Sequence, residues 1–369
     1  MDALPLLRQL VAIDSVNPGF GGVGEGEIAA FVADWARDAG LDVAVEEVEA
    51  GRPNVIATAH GTGGGRTLLL NGHLDTVGLG QMTDPLKPRV ENGRLYGRGA
   101  YDMKSGLAAC LVAAAETVRL DLRGDVVVTA VVDEELASIG TEAALRTVTA
   151  DAAIVAEPTD MRVAVAHKGF VAFEVETRGR AAHGSRPDLG IDAIAKMGHV
   201  LVGLEALDRA LRGRPPHPLL GTGSAHAGVV AGGLEYSTYP DRCLLQAERR
   251  MLPGEPVEQA EYELQGLLDV LARDDADFEG TLRVVGARDA HEVDFDEEIV
   301  RLVAEHAGAP EPVGAHFWTD AGLIGAAGIP AVLFGPGGEG AHAEVEWVSI
   351  DDVERCAAVF LAVAAEFCA

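Results

Sequence analysis

The chain has 369 residues, 48% of them hydrophobic and 24% charged, with 58 acidic against 29 basic side chains. That composition belongs to a folded protein rather than a disordered one, and the length exceeds a single hydrophobic core, so two domains are expected. The net charge of -29 argues against nucleic acid or an anionic membrane as a partner, because both need a basic surface. An anionic substrate would need a local basic pocket. The longest apolar stretch, over 357–365, is far short of the ~20 residues of a membrane span. Met1-Asp2-Ala3-Leu4-Pro5 lacks the basic start of a secretory leader. Cys110, Cys243, Cys356 and Cys368 show no C-x-x-C spacing, which favours buried or free thiols over disulfides or a thiolate zinc site. A cytoplasmic location is expected.

In chain order, the pattern predicts a helix over 5–13, a glycine loop over 19–26, an amphipathic helix over 27–39 and a strand over 42–48. Gly19, Gly21 and Gly24 fit G-x-G-x-x-G, but no buried strand precedes them, so they read as a loop rather than a dinucleotide site. Leu68-Leu69-Leu70 has the character of a covered parallel strand, ended by Asn71-Gly72. His73 and Asp75 follow. Positions i and i+2 of an extended segment share a side, so an imidazole and a carboxylate line one wall at a strand end, where open α/β sheets bind ligands. Asp102 stands between a glycine-rich turn and an Ala-rich helix. Further buried runs over 125–132 and 152–156 end in Asp133-Glu134-Glu135 and in Glu157. A last run over 331–334 leads through Gly335, Gly337 and Gly340 to His342, the glycines freeing the backbone to turn. Imidazoles with this surplus of carboxylates suit two divalent ions of zinc, manganese or cobalt.

Between Glu157 and that last run the pattern changes. Residues 170–178 alternate as a half-exposed strand, followed by a helix over 188–211, a Pro- and Gly-rich loop over 212–223, strands over 225–231 and 242–249, and a helix over 257–273. Such a segment should pack its helices on one face of an antiparallel sheet. The expected fold is therefore α/β: a catalytic domain with a mostly parallel central sheet flanked by helices, formed by residues 1–164 and 284–369, and interrupted by an inserted α+β domain over 165–283.

Several pieces, taken together and in order, carry a resemblance. They are Ser15-Val16-Asn17-Pro18, Gly72-His73-Leu74-Asp75-Thr76-Val77, Gly97-Arg98-Gly99-Ala100-Tyr101-Asp102-Met103-Lys104, Asp133-Glu134-Glu135, Ala156-Glu157-Pro158-Thr159, His183-Gly184-Ser185-Arg186-Pro187, Arg250-Met251-Leu252-Pro253-Gly254 and Gly335-Pro336-Gly337. Nearly the whole chain resembles the co-catalytic zinc amidohydrolases and peptidases that include acetylornithine deacetylase, succinyl-diaminopimelate desuccinylase, aminoacylase and glutamate carboxypeptidase. Acetylornithine deacetylase-like members are the nearest match.

The resemblance implies hydrolysis of the amide of an N-acyl amino acid, with a dipeptidase or carboxypeptidase as the alternative and a non-catalytic binding protein of the same fold as a remoter one. It implies two divalent cations per subunit, zinc first and cobalt or manganese as alternatives, which lower the pKa of water toward ~7. Carried over residue by residue, Asp102 bridges the two ions, His73 and Glu157 complete one site, and Glu135 and His342 complete the other. Asp75 accepts the free N–H of His73 and fixes its tautomer. Glu134 is the general base that moves the proton from water to the leaving nitrogen. The Asp102–Met103 peptide is expected to be cis. The inserted domain becomes a lid and dimerisation domain of a homodimer, and its His183 reaches the partner subunit to stabilise the oxyanion. Arg250 binds the substrate carboxylate.

One position departs from the pattern: Ser237 stands where many relatives carry Asn, in Gly232-Gly233-Leu234-Glu235-Tyr236-Ser237-Thr238-Tyr239-Pro240. A shorter side chain there puts the acyl or carboxylate contact, and hence the substrate, in question. Arg186 and Arg249 read as ordinary surface charges. Asp320 either meets a cationic substrate group or caps a helix.

Overall fold

Unbroken apolar runs make the centre of the main sheet. The computed structural model describes residues 1–369, and in it Val126–Val131, Leu68–His73, Ala152–Val155 and Ala331–Leu333 lie side by side and parallel. Every residue of these strands is buried, as a sheet covered on both faces requires. Arg52–Ala59 and Asp42–Glu49 extend it antiparallel on one side and Ala164–His167 on the other. Arg52–Ala59 opens with Pro53 and Asn54 ahead of the short run Val55-Ile56-Ala57, which weakens the strand signal in its sequence.

The helix Lys104–Thr117 is buried along almost its entire surface, packed against Leu68–His73 and the helix Ile350–Phe367. Its alanines permit close approach, while Leu107 and Leu111, fully buried, contribute about 1.5–3 kcal/mol each. A Cβ on Gly106 would lie 1.9 Å from the carbonyl oxygen of Ala156. That contact seats the start of the helix, and with it Asp102, beside the strand end that carries Glu157.

The chain divides into two compact units, residues 1–165, 292–315 and 319–369, and residues 166–291 with 316–318. The boundary expected at 283/284 falls inside the strand Glu279–Arg288, which pairs with Gly169–Arg178 up to Arg288 against Phe170. Its alternating exposure hid it from an apolar-run criterion. The second unit is a four-stranded antiparallel sheet in the order Ser224–Gly232, Arg242–Met251, Gly169–Arg178, Glu279–Arg288. Val171, Phe173 and Val175 meet Met197, Val200 and Leu204 of the helix Ala193–Arg212 and Leu264 and Leu268 of the helix Val257–Asp274 in one core. The first of these helices starts at Ala193 rather than at 188, because the Asp192 side chain accepts from Ala195 N at 3.0 Å and caps it. No helix of the chain is long and apolar enough to cross a membrane.

Candidate metal centre

Each parallel strand hands a polar residue to the same end of the sheet. His73 closes Leu68–His73, Glu134 and Glu135 follow Val126–Val131, Glu157 follows Ala152–Val155, and His342 lies beyond Ala331–Leu333. Asp102 precedes the helix Lys104–Thr117, and the Asp102–Met103 peptide is cis. These side chains converge. His73 Nε2 lies 3.4 Å from Asp102 Oδ1, 3.8 Å from Glu157 Oε1 and 3.9 Å from Glu134 Oε2. His342 Nε2 lies 3.3 Å from Asp102 Oδ2 and 3.0 Å from Glu135 Oε2. Asp102 thus divides its two oxygens between two imidazoles.

So many carboxylates in one buried place are unfavourable without a cation, since each desolvated charge costs several kcal/mol. Burial, with repulsion from neighbouring carboxylates, pushes Glu134 and Glu157 well above the usual range. Burial works against a charge on His73, yet Asp102, Glu157 and Glu134 beside it push its pKa up. His342 is raised to about 10 by Asp102 and Glu135. Asp102 moves the other way: burial opposes its charge, but the His342 and His73 rings hold it well below the usual carboxylate range. The buried atoms His73 Nε2 and Glu135 Oε1 lack a hydrogen-bond partner. Ligand atoms of His73, Asp102 and Glu135, and of His73, Glu134 and Glu157, lie within 4.8 Å of one another. Mixed nitrogen and oxygen donors, unpartnered atoms and excess negative charge fit divalent cations.

The structure gives Asp75 a different contact from the one the resemblance implies. The atom bonded to His73 Nδ1 is the main-chain oxygen of Asp75, at 2.9 Å, whereas the carboxylate stands 3.5 Å away. That carboxylate accepts from Glu134 N at 3.1 Å, Glu135 N at 3.2 Å and Asn17 Nδ2 at 2.8 Å. It therefore orients the turn that presents both glutamates. Burial raises it to about 7. Asn17 also donates to Asp133 Oδ1 at 3.0 Å, and Arg52 joins Asp133 at 2.7 Å to the fully buried Glu25. Asn17 lay in a matched motif without an assigned role, and Arg52 and Glu25 gave no sequence signal because their pairing is long-range.

Residues 69–366 match peptidase family M20/M25/M40. The chain belongs to that family. It is accordingly a hydrolase acting on amide bonds. It is 36% identical over 391 aligned residues, 100% of this chain and 99% of the relative, to acetylornithine deacetylase of Myxococcus xanthus. It is 28% identical to the N-formyl-4-amino-5-aminomethyl-2-methylpyrimidine deformylase of Bacillus subtilis strain 168, over 90% of this chain and 87% of that one. The M20 family metallo-carboxypeptidase Sso-CP2 of Sulfolobus solfataricus has the same fold, with a TM-score of 0.83 at 20% identity over 100% of this chain and 99% of that one.

In this M20 hydrolase the remaining expected residues lie in the second unit. His183 is exposed, with Nδ1 2.8 Å from Ser185 Oγ. Ser237 is exposed too, and its carbonyl accepts from Gly184 N at 2.6 Å, which brings the two segments together. Arg250 is half-buried in Arg242–Met251, its Nε 2.6 Å from Glu248 Oε1 and its guanidinium 5.6 Å from the Phe170 ring centroid. Arg249 is no surface charge: it is fully buried and bonded to Glu255 and Glu263. Arg186 is exposed and paired with Asp188. Asp320 makes no side-chain cap; its carboxylate accepts from Thr141 Oγ1 at 2.6 Å.

Proposed function

We propose that this chain is a di-metal deacylase that removes the acyl group from an N-acyl amino acid of the acetylornithine type, with zinc as the cation. The observation that carries this reading is the division of Asp102 between His73 at 3.4 Å and His342 at 3.3 Å, which suits a carboxylate shared by two ions. Glu157 would join His73 on one side and Glu135 would join His342 on the other. When bound, the ions supply Lewis acidity and water that ionises near neutral pH. Glu134 is the general base: it takes a proton from water and delivers it to the leaving nitrogen, a task its raised basicity favours. Asp75 keeps that base and Glu135 in register through their backbone N–H groups. The similarity to acetylornithine deacetylase along the full chain supports the substrate class. Arg250 would hold the substrate carboxylate and Ser237 would stand near the acyl end.

The second unit is proposed as a lid and dimerisation domain. The strand Ser224–Gly232 lies at the edge of its sheet and is exposed along nearly its whole length, with Val229 and Val230 54% and 51% exposed. A second copy pairing there would cover an edge that otherwise invites aggregation, and in that dimer the partner subunit would receive His183 as oxyanion donor. Four unbridged, buried cysteines accord with a cytoplasmic location.

The test is metal analysis of the purified protein followed by turnover of N-acetylornithine, other N-acetyl and N-succinyl amino acids, and dipeptides. Two cations per subunit and preference for N-acyl amino acids are expected. Turnover of dipeptides alone would replace the deacylase by a peptidase, and an inert protein with two bound cations would remove the catalytic reading.

A further inference from the structure

The loop that carries His342 has little core of its own. Residues 341–345 are all exposed, and His342 itself has a left-handed φ of 61°. Its contact with Asp102 and Glu135 therefore depends on something outside the loop. Four residues beyond His342, Glu346 is 2% exposed, and its two carboxylate oxygens accept four hydrogen bonds. Oε1 takes Tyr101 N at 2.9 Å and Asp102 N at 3.1 Å. Oε2 takes Gly99 N at 3.1 Å and Arg98 Nη1 at 2.7 Å. Arg98, 3% exposed, reaches back with Nη2 to the carbonyl of Ala343 at 3.0 Å. Gly97 N adds a bond to the Glu346 carbonyl at 3.2 Å.

We propose that Glu346 and Arg98 are positioning residues that clasp the Asp102 turn to the His342 loop, so that both side chains meet the same cation. The inference rests on the two-cation reading above. Its physical content is the completeness of the carboxylate: Glu346 is bonded at once to the backbone on which Asp102 is mounted and, through Arg98, to the residue next to His342. A ligand pair held at 3.3 Å across two segments more than two hundred residues apart needs such a tie, because misplacing one donor weakens the cation it shares. Neither residue touches substrate in this reading.

Glu346→Gln tests it with little change of shape. One amide oxygen can still take two backbone N–H groups, but the amide nitrogen then faces two donors, whichever way the side chain is turned. The buried Arg98 also loses its anion. Protein stripped with chelator is titrated with Zn2+ and with Co2+, and the affinity of each cation is read by competition and by the visible spectrum of the cobalt form. The expected result is a second cation bound ~10- to 100-fold more weakly, the usual cost of losing a group that orients a ligand, with a changed cobalt spectrum. Thermal unfolding in chelator and in Zn2+ separates this from a loss of general stability: the stabilisation by metal should shrink in the variant.

Equal melting losses with and without metal, together with wild-type affinities, would overturn the proposal. Wild-type protein that itself holds fewer than two cations would instead overturn the two-cation reading. Should Glu346→Gln fail to fold, Arg98→Lys carries the same test, since it keeps charge opposite Glu346 but cannot also reach the Ala343 carbonyl. Unchanged second-cation affinity in a folded Arg98→Lys protein would likewise reject the clasp.

Discussion

The two units solve opposite problems. In the first, His73, Glu134, Glu135 and Glu157 stand at the ends of strands that are buried throughout, fixed by packing or by backbone bonds to Asp75, and only His342 stands on an exposed loop, which Arg98 and Glu346 tie down. In the second, the expected oxyanion donor His183 and the expected substrate residue Ser237 sit on exposed segments, near Leu234 and Tyr236, which are 97% and 108% exposed. Chemistry that needs ligands held to a fraction of an ångström is built on rigid elements. The residues proposed for substrate and partner recognition are instead on exposed segments of the second unit. The contrast can be broken at either end.

The largest effect should come from the rigid end. Glu134→Gln keeps the size of the side chain and the backbone bond to Asp75 but removes the proposed base, so kcat should fall at least ~10²-fold while bound metal stays at the wild-type level. Near-wild-type kcat in a metal-replete variant would mean another group moves the proton.

What the sequence made legible follows the same division. His73, Glu134, Glu135 and Glu157 could be found because apolar runs end in or beside them, His342 because a glycine turn follows another such run, and Asp102 because it stands between a glycine-rich turn and an Ala-rich helix; the parallel central sheet follows from those same runs. Asn17, Arg52, Arg98 and Glu346 could not be given tasks, since a buried ion pair between positions 98 and 346 leaves no local pattern. Arg249 looked like a surface charge because its partners Glu255 and Glu263 give no burial signal. The Glu279–Arg288 strand was hidden for the converse reason: a half-exposed antiparallel strand tolerates charged and glycine positions, so its sequence shows neither an apolar run nor strict alternation.

A second break joins the two ends. His183→Ala lacks the proposed oxyanion donor and Glu134→Gln lacks the base, so each homodimer should be nearly inactive, the former by ~10²- to 10³-fold. If His183 serves the partner subunit, a mixed dimer has one site with both defects and one with neither. Random exchange makes half the dimers mixed, so about a quarter of wild-type activity should return. Silence after proven subunit exchange would confine His183 to its own chain or to no role.

The second unit's own core gives a smaller, separable effect. Phe173 is 1% exposed among Val200, Leu204 and Leu264, so Phe173→Ala should cost about 3–5 kcal/mol of stability. Metal content of the folded fraction should not change, because no ligand belongs to that core. A matching fall in metal per folded subunit would show that the first unit depends on it.

Metal binding should depend on pH with a defined sign. In the cation-free protein His342 is held protonated up to about 10 by Asp102 and Glu135, and burial keeps a proton on Glu157. As the proposed metal ligands these two groups would bind deprotonated, so binding should release protons and affinity should fall as pH falls. For each proton released, the apparent affinity changes about tenfold per pH unit. Calorimetric titration in buffers of different ionisation enthalpy measures the release directly. An affinity flat from about pH 6 to about pH 9 would remove His342 from the ligand set.

The smallest change in folding is expected at the exposed edge, and it asks whether that edge is a surface or an interface. Along Ser224–Gly232 the side chains of Ala227, Val229, Val230 and Ala231 are all exposed, only Ala225 belongs to the core, and only Arg242–Met251 pairs with the strand. A strand of small apolar residues in that state is a template for another strand. Val229→Lys, opposite the exposed Gln246 on the neighbouring strand, places a charge on it away from the core-side face, so stability in the monomeric form should change by less than about 0.5 kcal/mol. In a dimer built on this edge, two symmetry-related lysines would meet across the interface and repel. Sedimentation equilibrium should then show wild-type dimer and variant monomer at the same concentration. A variant that remains dimeric, or a wild type that is already monomeric, would leave the edge as plain surface and would take the composite site with it.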